Sequence, residues 1–456
     1  MDAFLSVSAW ETLVQQLCYV FTEPTARTWR QIALGWVLNR GPATVTTIFR
    51  TLGNLADRHW TVYEKFFYRA AWCLSALSTA LLQRVVYPLL LEAAQQAAGE
   101  VVADLAIDDT TAGRSGKHVA HAGWFKDASA TGPSHHGTVI HWAHNWLVGA
   151  VTLRLPAWPL LRWVLPVLFT LYRKRTDCDR DHPFRTRQVL AGRMIQQAAE
   201  ALPQVRWRVV ADGQYAGREV VQALPENVNL VSRIRRDAAI YALPKARRPG
   251  QRGQPAKKGR RLPTPRQLAA RRKVGRQRIT VLKQGRQVER LVLGITCLWY
   301  HVCRAKPIRL VLVRDPAGHE QDDFLFCTDA SVPDAEIVQR YYDRWAVEEA
   351  IQEAKQCLGF EATQGWCSRT VNRQAPLAMV LVTLVKAWYA RCAPREPSLL
   401  PERLPWYPHK VQPSLADMLA ALRKVLWQHR ITLNSGSWPR VQRLLQMVSF
   451  ALSGAA

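Results

Sequence analysis

A stripe of four polar residues near residue 350 constrains this 456-residue chain more than any other feature of its sequence. Tyr341, Arg344, Glu348 and Lys355 are spaced three, four and seven residues apart. At about 100° per residue, these positions fall within an arc of about 60° on one face of a helix. One carboxylate, two cations and a phenol on one face suit a polyanion held beside a metal ion. An exposed helix with an Arg344–Glu348 ion pair is the alternative interpretation.

Two upstream segments add carboxylates that fit the same chemistry. An apolar run from Val101 ends in the adjacent acids Asp108 and Asp109, and the alternating run from Val205 ends at the turn dipeptide Asp212-Gly213. Both patterns predict strands with acids at their ends. Two such carboxylates and a glutamate from a packed helix make an oxygen-rich site for Mg²⁺ or Mn²⁺. Taken singly, each acid also fits a helix cap or a turn.

The order Asp109, Asp212 and then Glu348 within the Tyr-Arg-Glu-Lys stripe resembles the DDE transposases of bacterial insertion sequences, in the cut-and-paste group with that signature. In that family the first aspartate lies in a strand ending Asp-Thr-Thr, like Asp109 with its two threonines. The second lies in an Asp-Gly-x-Tyr turn, like Asp212 to Tyr215. The glutamate opens a helix that follows a large insertion. The resemblance covers about residues 100–390.

The resemblance implies an RNase H-like catalytic core that cuts and joins DNA at the ends of a mobile element. Asp109, Asp212 and Glu348 would bind two Mg²⁺ (or Mn²⁺) ions, while Tyr341, Arg344 and Lys355 would hold DNA phosphates. The partners would be double-stranded DNA, as element ends and target, and a second copy of the chain on that DNA. No small-molecule cofactor is expected. A metal-dependent nuclease or resolvase without strand transfer, and an inactive DNA-binding regulator, remain alternatives.

The first acid of the set has two candidates. Asp108 and Asp109 are neighbours, and on a strand their side chains point to opposite faces. Asp109 is the predicted ligand because it directly precedes the two threonines. Asp108 is then expected to point away from the site.

Composition agrees with a nucleic-acid partner. The chain has 62 Lys and Arg against 35 Asp and Glu, a formal net charge of +27, which indicates binding to a polyanion. Its nine cysteines form no Cys-x-x-Cys pair, so neither a zinc ribbon nor a secreted disulfide framework is predicted. A bacterial cytoplasm, close to the nucleoid, is the expected location. The apolar run 146–172 is interrupted by arginines and prolines, and predicts a buried strand followed by a proline-kinked helix rather than a membrane span.

The predicted fold class is multidomain α/β, with an RNase H-like core interrupted by a β-rich insertion and an all-helical N-terminal domain. The expected divisions are a helical DNA-binding domain (1–98), the first part of the core (99–225), a β-rich basic insertion (226–330), the second part of the core with the signature helix (331–395) and a helical C-terminal region (396–456). Helices over 28–38 and 43–52 fit a DNA-binding helix-turn-helix and an ordinary helical hairpin equally well.

The most basic segment lies within the insertion. Residues 245–278 contain 14 Lys and Arg and no acid. Lys257, Lys258, Arg260 and Arg261 are the candidate DNA-binding residues there. Glycines and prolines punctuate the segment, so it is expected to be extended without DNA, either as a phosphate-gripping arm or as a basic linker.

Overall fold

The computed structural model describes residues 2–95, 100–126, 139–245, 254–271, 275–402, 405, 410 and 412–433. Its α-helices are α1 (Asp2–Gln15), α2 (Glu23–Leu38), α3 (Val45–Leu52), α4 (Trp60–Tyr68), α5 (Leu74–Ala80), α6 (Tyr87–Gln95), α7 (Arg187–Ala201), α8 (Arg218–Val221), α9 (Pro265–Ala269), α10 (Tyr300–Cys303), α11 (Asp334–Asp343), α12 (Ala346–Leu358), α13 (Ser368–Cys392) and α14 (Leu415–Leu433). Its strands are β1 (Val102–Gly113), β2 (Gly123–Lys126), β3 (Ile140–Leu155), β4 (Trp158–Tyr172), β5 (Arg206–Ala211), β6 (Val228–Arg233), β7 (Gln277–Lys283), β8 (Arg286–Leu298), β9 (Pro307–Arg314) and β10 (Asp323–Cys327).

Within the described residues, ten strands form one mixed sheet. Their order is β2-β3-β1-β5-β6-β10-β9-β8-β7, and β4 also pairs with β3. β1, β5 and β6 are parallel to one another, whereas every other pairing in the sheet is antiparallel. The fold is therefore mixed α/β, with a short parallel centre flanked by antiparallel strands.

The region expected to be a β-rich insertion contributes strands β6 to β10. β10 pairs with β6, and β9, β8 and β7 follow outward from it, so these strands continue the central sheet. The division of the chain into separate domains therefore stays a prediction.

The apolar run 146–172 corrects one expectation. It was predicted to be a strand and a kinked helix, but it forms most of an antiparallel pair, β3 and β4. Pro166 is accommodated because, among the described strands, β4 pairs with β3 alone, so its missing N–H can face away from the ladder. The register also shifts between Gly149 and Ala150, beside Pro166. Pro159 and Pro166 therefore lie within a strand, where they would have broken a helix, and Pro156 lies in the turn between β3 and β4.

Helices cover both faces of the sheet. α12 packs on β1, β3 and β4, and α11 packs on β5, β6 and the outer strands. α7 packs on the opposite face, where Met194 lies beside Leu105 and Gly149. Residues 104, 106 and 108 of β1 therefore face α11 and α12, while residues 105, 107 and 109 face α7.

α13 is the core helix of the molecule. Both α13 and the helical run Leu74–Gln95 have the length and apolar composition of a membrane span. In the most apolar stretch of α13, however, 94% of the residues are buried inside the fold, as in the core helix of a soluble protein. Half of the corresponding stretch of Leu74–Gln95 is buried in the same way.

The N-terminal helices pack against the rest of the protein. The Trp36 indole donates a hydrogen bond to the Leu358 carbonyl at the end of α12, 3.0 Å away. α2 and α3 form the expected helical pair and cross closely, because a Cβ on Gly35 would lie 2.9 Å from the Ile48 carbonyl oxygen. The Thr44 side chain caps α3. This geometry fits a helix-turn-helix and a helical hairpin alike. The part of the expected helical C-terminal region beyond residue 433 lies outside the described residues.

Candidate active site

The register of the two central parallel strands places a pair of acids side by side. Ile107 of β1 pairs with Ala211 of β5, and the next residue of each segment is an aspartate. Cross-strand neighbours project to the same face of a sheet. Asp108 and Asp212 therefore share the face covered by α11 and α12.

Asp108 also meets the glutamate of the stripe. Its carboxylate forms an ion pair with Arg344, and another nitrogen of that guanidinium lies 3.1 Å from Glu348 Oε1. Glu348 is within hydrogen-bonding reach of Asp108, and the charge of Asp212 acts on both Glu348 and Arg344. Asp108 and Glu348 therefore share one arginine, and Asp212 lies near enough for its charge to act on that group.

Asp109 lies on the other side of the sheet, opposite to expectation. Its carboxylate accepts hydrogen bonds from Asn145 Nδ2 at 2.8 Å, from the Tyr215 hydroxyl at 2.9 Å and from the Gln214 side chain. Arg187 of α7 lies 3.6 Å away. The expectation that Asp109 lies with Glu348 while Asp108 points away is therefore reversed. Because side chains alternate along β1, Asp108 and Asp109 must lie on opposite faces of the sheet. The register of β1 with β5 determines which of the two lies on the same face as Asp212.

The stripe itself is divided between two helices. α11 ends at Asp343, and α12 begins at Ala346. Between them the backbone makes tighter turns, in which Arg344 N–H donates to the Tyr341 carbonyl and Glu348 N–H donates to the Trp345 carbonyl. One continuous helix was expected. Arg344 and Trp345 keep helical backbone angles, so the chain tightens there rather than unwinding.

The outer members of the stripe contact the ends of the two acid-bearing strands. The Tyr341 hydroxyl donates to Asp212 Oδ1 at 3.3 Å, and the buried ring lies beneath the Arg233 guanidinium. Lys355 Nζ donates to the Thr111 carbonyl, which lies just beyond the acids on β1. Lys355 also pairs with Glu361 at 2.8 Å. All four residues of the stripe therefore face β1 or β5.

Burial shapes the electrostatics of this cluster. It raises the pKa of Asp108 to about 7, although Arg344 acts in the opposite direction. Burial likewise raises the pKa of Glu348, and the nearby Asp212 adds to the effect. It raises the pKa of the Tyr341 hydroxyl as well. Burial opposes the charge on Arg344, but Asp108, the largest opposing influence, leaves the pKa of its guanidinium raised. The raised pKa values of Asp108 and Glu348 show that the cluster favours binding a further positive charge, either a proton or a cation.

The donor set fits a hard divalent cation, since Asp108, Asp212 and Glu348 offer the carboxylate oxygens that Mg²⁺ and Mn²⁺ prefer. Arg344 already supplies a positive charge between two of them. In the parts of the chain that the structure describes, however, no three His, Cys, Asp or Glu side chains are gathered closely enough to hold a metal. Binding would therefore need Asp212 and the Asp108–Arg344–Glu348 group to draw together.

The candidate DNA-binding residues of the basic segment lie at the surface. Lys257, Arg260 and Arg261 are exposed. Lys258 is also exposed, and its ammonium group lies over the rings of Tyr241 at 4.4 Å and Tyr300 at 5.0 Å. Residues 246–253 and 272–274 of the same segment lie outside the described residues.

The polar network around Asp109 was not found from the sequence. Asn145, Arg187 and Tyr215 come from three separate elements, and only their packing brings them to one carboxylate. Tyr215 alone carried a signal, because it belongs to the Asp-Gly-x-Tyr turn after Asp212. Its ring is fully buried, and burial raises the pKa of its hydroxyl.

A comparison with protein-family models matches residues 16–289 to the DDE superfamily endonuclease family. This match covers more than half of the chain. The chain belongs to the DDE superfamily endonucleases. A search of curated proteins finds no match.

Membership in the DDE superfamily accounts for the coarse features of the site. The matched region holds helices α2 to α6 and both acid-bearing strands, and it ends before Glu348. A DDE endonuclease acts on DNA, which agrees with the net charge of +27. Nucleases of this superfamily generally use divalent metals, in keeping with the carboxylate cluster.

Proposed function

We propose that this DDE endonuclease is a transposase that cuts and joins DNA at the ends of an insertion sequence, with Asp108, Asp212 and Glu348 as its metal-binding acids. The observation that carries the proposal is the contact of Asp108 and Glu348 with one guanidinium, beside Asp212 on the same sheet face. Asp108 replaces Asp109 in this set because Asp109 faces α7.

The strand arrangement supports an RNase H-like core. β4, β3, β1, β5 and β6 lie side by side in that order, and the first three are antiparallel while β1, β5 and β6 are parallel. Asp108 lies at the central strand and Asp212 follows its parallel neighbour. Asp108 lies within β1 just past its last pair with β5, and Asp212 directly follows β5, so the sheet fixes both carboxylates while a packed helix brings the third.

Asp108, Asp212 and Glu348 would hold two Mg²⁺ or Mn²⁺ ions. Such a pair supplies an activated water or 3′-hydroxyl nucleophile and stabilises the leaving oxygen of a phosphodiester. The three carboxylates contribute negative charge and fixed oxygen positions. Asp108 is largely buried and the other two acids are half-buried, which strengthens their interaction with cations while leaving the site open on one side.

Arg344 would exchange partners during this chemistry. It pairs with Asp108 and Glu348 in the structure, and its N–H groups would contact a phosphate when those two acids hold a cation. Lys355 lies beside Thr111, near the end of β1, and would add a second positive charge along the same strand of DNA. Tyr341 would orient Asp212 through its hydroxyl. A charge-assisted phosphate contact of this kind is worth roughly 1.5–3 kcal/mol.

The wider surface would bind double-stranded DNA at the element ends and the target. The exposed cations Lys257, Lys258, Arg260 and Arg261 would contact phosphates, and α2–α3 would read the end sequence. Two copies would act on paired ends, and a bacterial cytoplasm would be the site of action, close to the nucleoid.

A strand-transfer assay tests this function. The substrate is the DNA that flanks the coding region, carrying any inverted repeats, together with a supercoiled target and Mg²⁺. A transposase gives 3′-hydroxyl cuts at the repeat ends and joined products. Cuts without joined products would identify a nuclease, and specific binding without cuts would identify an inactive regulator.

A further inference from the structure

Asp109 binds neither DNA nor metal in the proposed function, yet it is among the most densely bonded side chains near the site. It accepts hydrogen bonds from Asn145, Gln214 and Tyr215 and lies 3.6 Å from Arg187. Its side chain is 18% exposed, so these partners replace most of its water. A carboxylate that is so well satisfied is held in one position.

Two of those partners belong to the turn that carries the second acid. Gln214 and Tyr215 lie in the short helical turn Gly213–Tyr215, which starts directly after Asp212. Tyr215 N–H donates back to the Asp212 carbonyl at 2.9 Å. Asp109 therefore ties strand β1 to the backbone that sets the position of Asp212.

The same residue also acts on the first acid. Its backbone N–H donates to Asp108 Oδ1 at 2.9 Å. Asp109 thus contacts Asp108 through its backbone and the Asp212 turn through its side chain. The two functions use opposite faces of β1, as the alternation of a strand requires.

Arg187 and Asn145 complete the support from behind. Arg187 Nε donates to Asn145 Oδ1 at 2.9 Å, so Asn145 is oriented with its amide nitrogen toward Asp109. The Arg187 guanidinium also lies over the Tyr172 ring, 4.5 Å from its centre. The Asp109 carboxylate is therefore held in place by side chains from α7 and β3, and the α7 arginine is in turn held by a ring from β4.

We propose that Asp109 is a positioning residue that holds β1 against the turn after Asp212 and so keeps Asp108 and Asp212 side by side for metal binding. This inference rests on the proposed function. The competing explanation is purely structural, in which Asp109 only satisfies buried polar groups. Groups behind metal ligands typically change metal affinity tenfold to a hundredfold when removed, whereas a structural role changes only stability.

Asp104 offers a matched control on the same strand. It faces α11 and forms a two-point ion pair with Arg208, with both contacts at 2.5 Å. Asp104→Asn breaks a comparable ion pair in β1 without touching the Asp212 turn. Tyr215→Phe is the second test variant, because it removes a single hydrogen bond to Asp109 and leaves the buried ring in place.

The experiment measures Mn²⁺ binding to the full chain by calorimetry, with thermal unfolding recorded for each variant. Asp109→Asn is expected to weaken Mn²⁺ binding by about tenfold to a hundredfold, Tyr215→Phe by less, and Asp104→Asn by less than twofold. Unchanged Mn²⁺ binding in Asp109→Asn, or in Tyr215→Phe if Asp109→Asn does not fold, would overturn the inference. Equal weakening in Asp104→Asn would also overturn it. Failure of the proposed function would give a different result: the Asp108→Asn variant would then bind Mn²⁺ as tightly as the wild type does.

Discussion

Ile107 of β1 pairs with Ala211 of β5 in parallel register, and the residue after each is an aspartate. This pairing puts Asp108 and Asp212 at one level on one face of the sheet. The same face receives α12, whose first turn carries Glu348. The site is therefore a consequence of strand register as much as of the acids themselves.

Arg344→Ala removes the cation between Asp108 and Glu348. Asp108 is largely buried, whereas the Glu348 side chain is 34% exposed, so the loss falls mainly on the Asp108 pair and stays below the roughly 3–5 kcal/mol of a fully buried pair. Without metal, the variant is expected to unfold at a lower temperature than the wild type. Mg²⁺ should then stabilise the variant more than the wild type, because it replaces the missing charge. At saturating DNA, cleavage should slow by about tenfold to a hundredfold.

Arg340→Ala is the matched control for that experiment. Arg340 lies one turn earlier and pairs with Glu336, away from Asp108. It is expected to lose stability without gaining sensitivity to Mg²⁺. Equal responses of the two variants to Mg²⁺ would contradict a special role for Arg344.

Lys355 and Tyr341 are expected to differ in effect. Lys355→Ala removes a cation beside the end of β1 and should slow single-turnover cleavage by about tenfold to a hundredfold. Tyr341→Phe keeps the buried ring and loses one long hydrogen bond, so cleavage should fall by less than about tenfold. Lys306→Ala, at an exposed lysine, serves as the control. Wild-type rates in Lys355→Ala would remove it from the phosphate-binding group.

DNA binding by the basic segment is tested through its salt dependence. Each phosphate contact contributes about −0.9 to the slope of log K against log salt concentration. A Lys257→Gln, Arg260→Gln double variant should flatten the slope by up to about two units. Arg235→Gln is a fitting control because Arg235 is exposed but already paired with Asp237 at 2.8 Å. An unchanged slope in the double variant would make the segment a solvated linker.

The buried position of His144 leads us to expect a pH dependence of folding stability that is separate from catalysis. His144 accepts a hydrogen bond from Arg114 and contacts the Ala120 carbonyl at 2.8 Å. Burial, with the Arg114 charge, lowers the pKa of His144 to about 4. A lowered histidine pKa means that the unfolded chain binds the proton more readily. The stabilisation is therefore complete above about pH 6.5 and is lost as the pH falls toward 4.

The shift corresponds to a loss on the order of 3 kcal/mol across that range. Denaturant unfolding between pH 4 and 7.5 measures it. His144→Gln should be less stable at neutral pH and show a shallower decline toward acid. His319→Gln, at an exposed histidine, should keep the wild-type profile. A decline of equal steepness in His144→Gln would show that other groups cause it.

Local sequence patterns predicted which strands and acidic segments belong to the site but not how the acids are arranged in space. The strands that carry Asp108 and Asp212 were predictable from their apolar runs. β5 ends before Asp212 as expected, whereas β1 does not end at its acids but continues to Gly113. The choice between Asp108 and Asp109 was not predictable, since their faces depend on the pairing of β1 with a strand a hundred residues away. The threonines that favoured Asp109 carry no information about that register.

The prediction of helices and strands was wrong where tertiary packing overrode local sequence preference. The spacing of Tyr341 and Glu348 predicted one helix, but the chain tightens at Arg344 and separates α11 from α12. The apolar run 146–172 could not be distinguished from a helix by periodicity, because β3 and most of β4 are buried on both faces.

Replacement of each neighbouring acid by cysteine tests the central claim most directly. A thiolate ligand binds Mn²⁺ better than it binds Mg²⁺, so a ligand replaced by cysteine loses activity in Mg²⁺ and regains part of it in Mn²⁺. We predict that Asp108→Cys cleaves the flanking DNA only with Mn²⁺, while Asp109→Cys shows no such preference beyond that of the wild type. Recovery by Mn²⁺ in Asp109→Cys and not in Asp108→Cys would contradict the site described by the strand register.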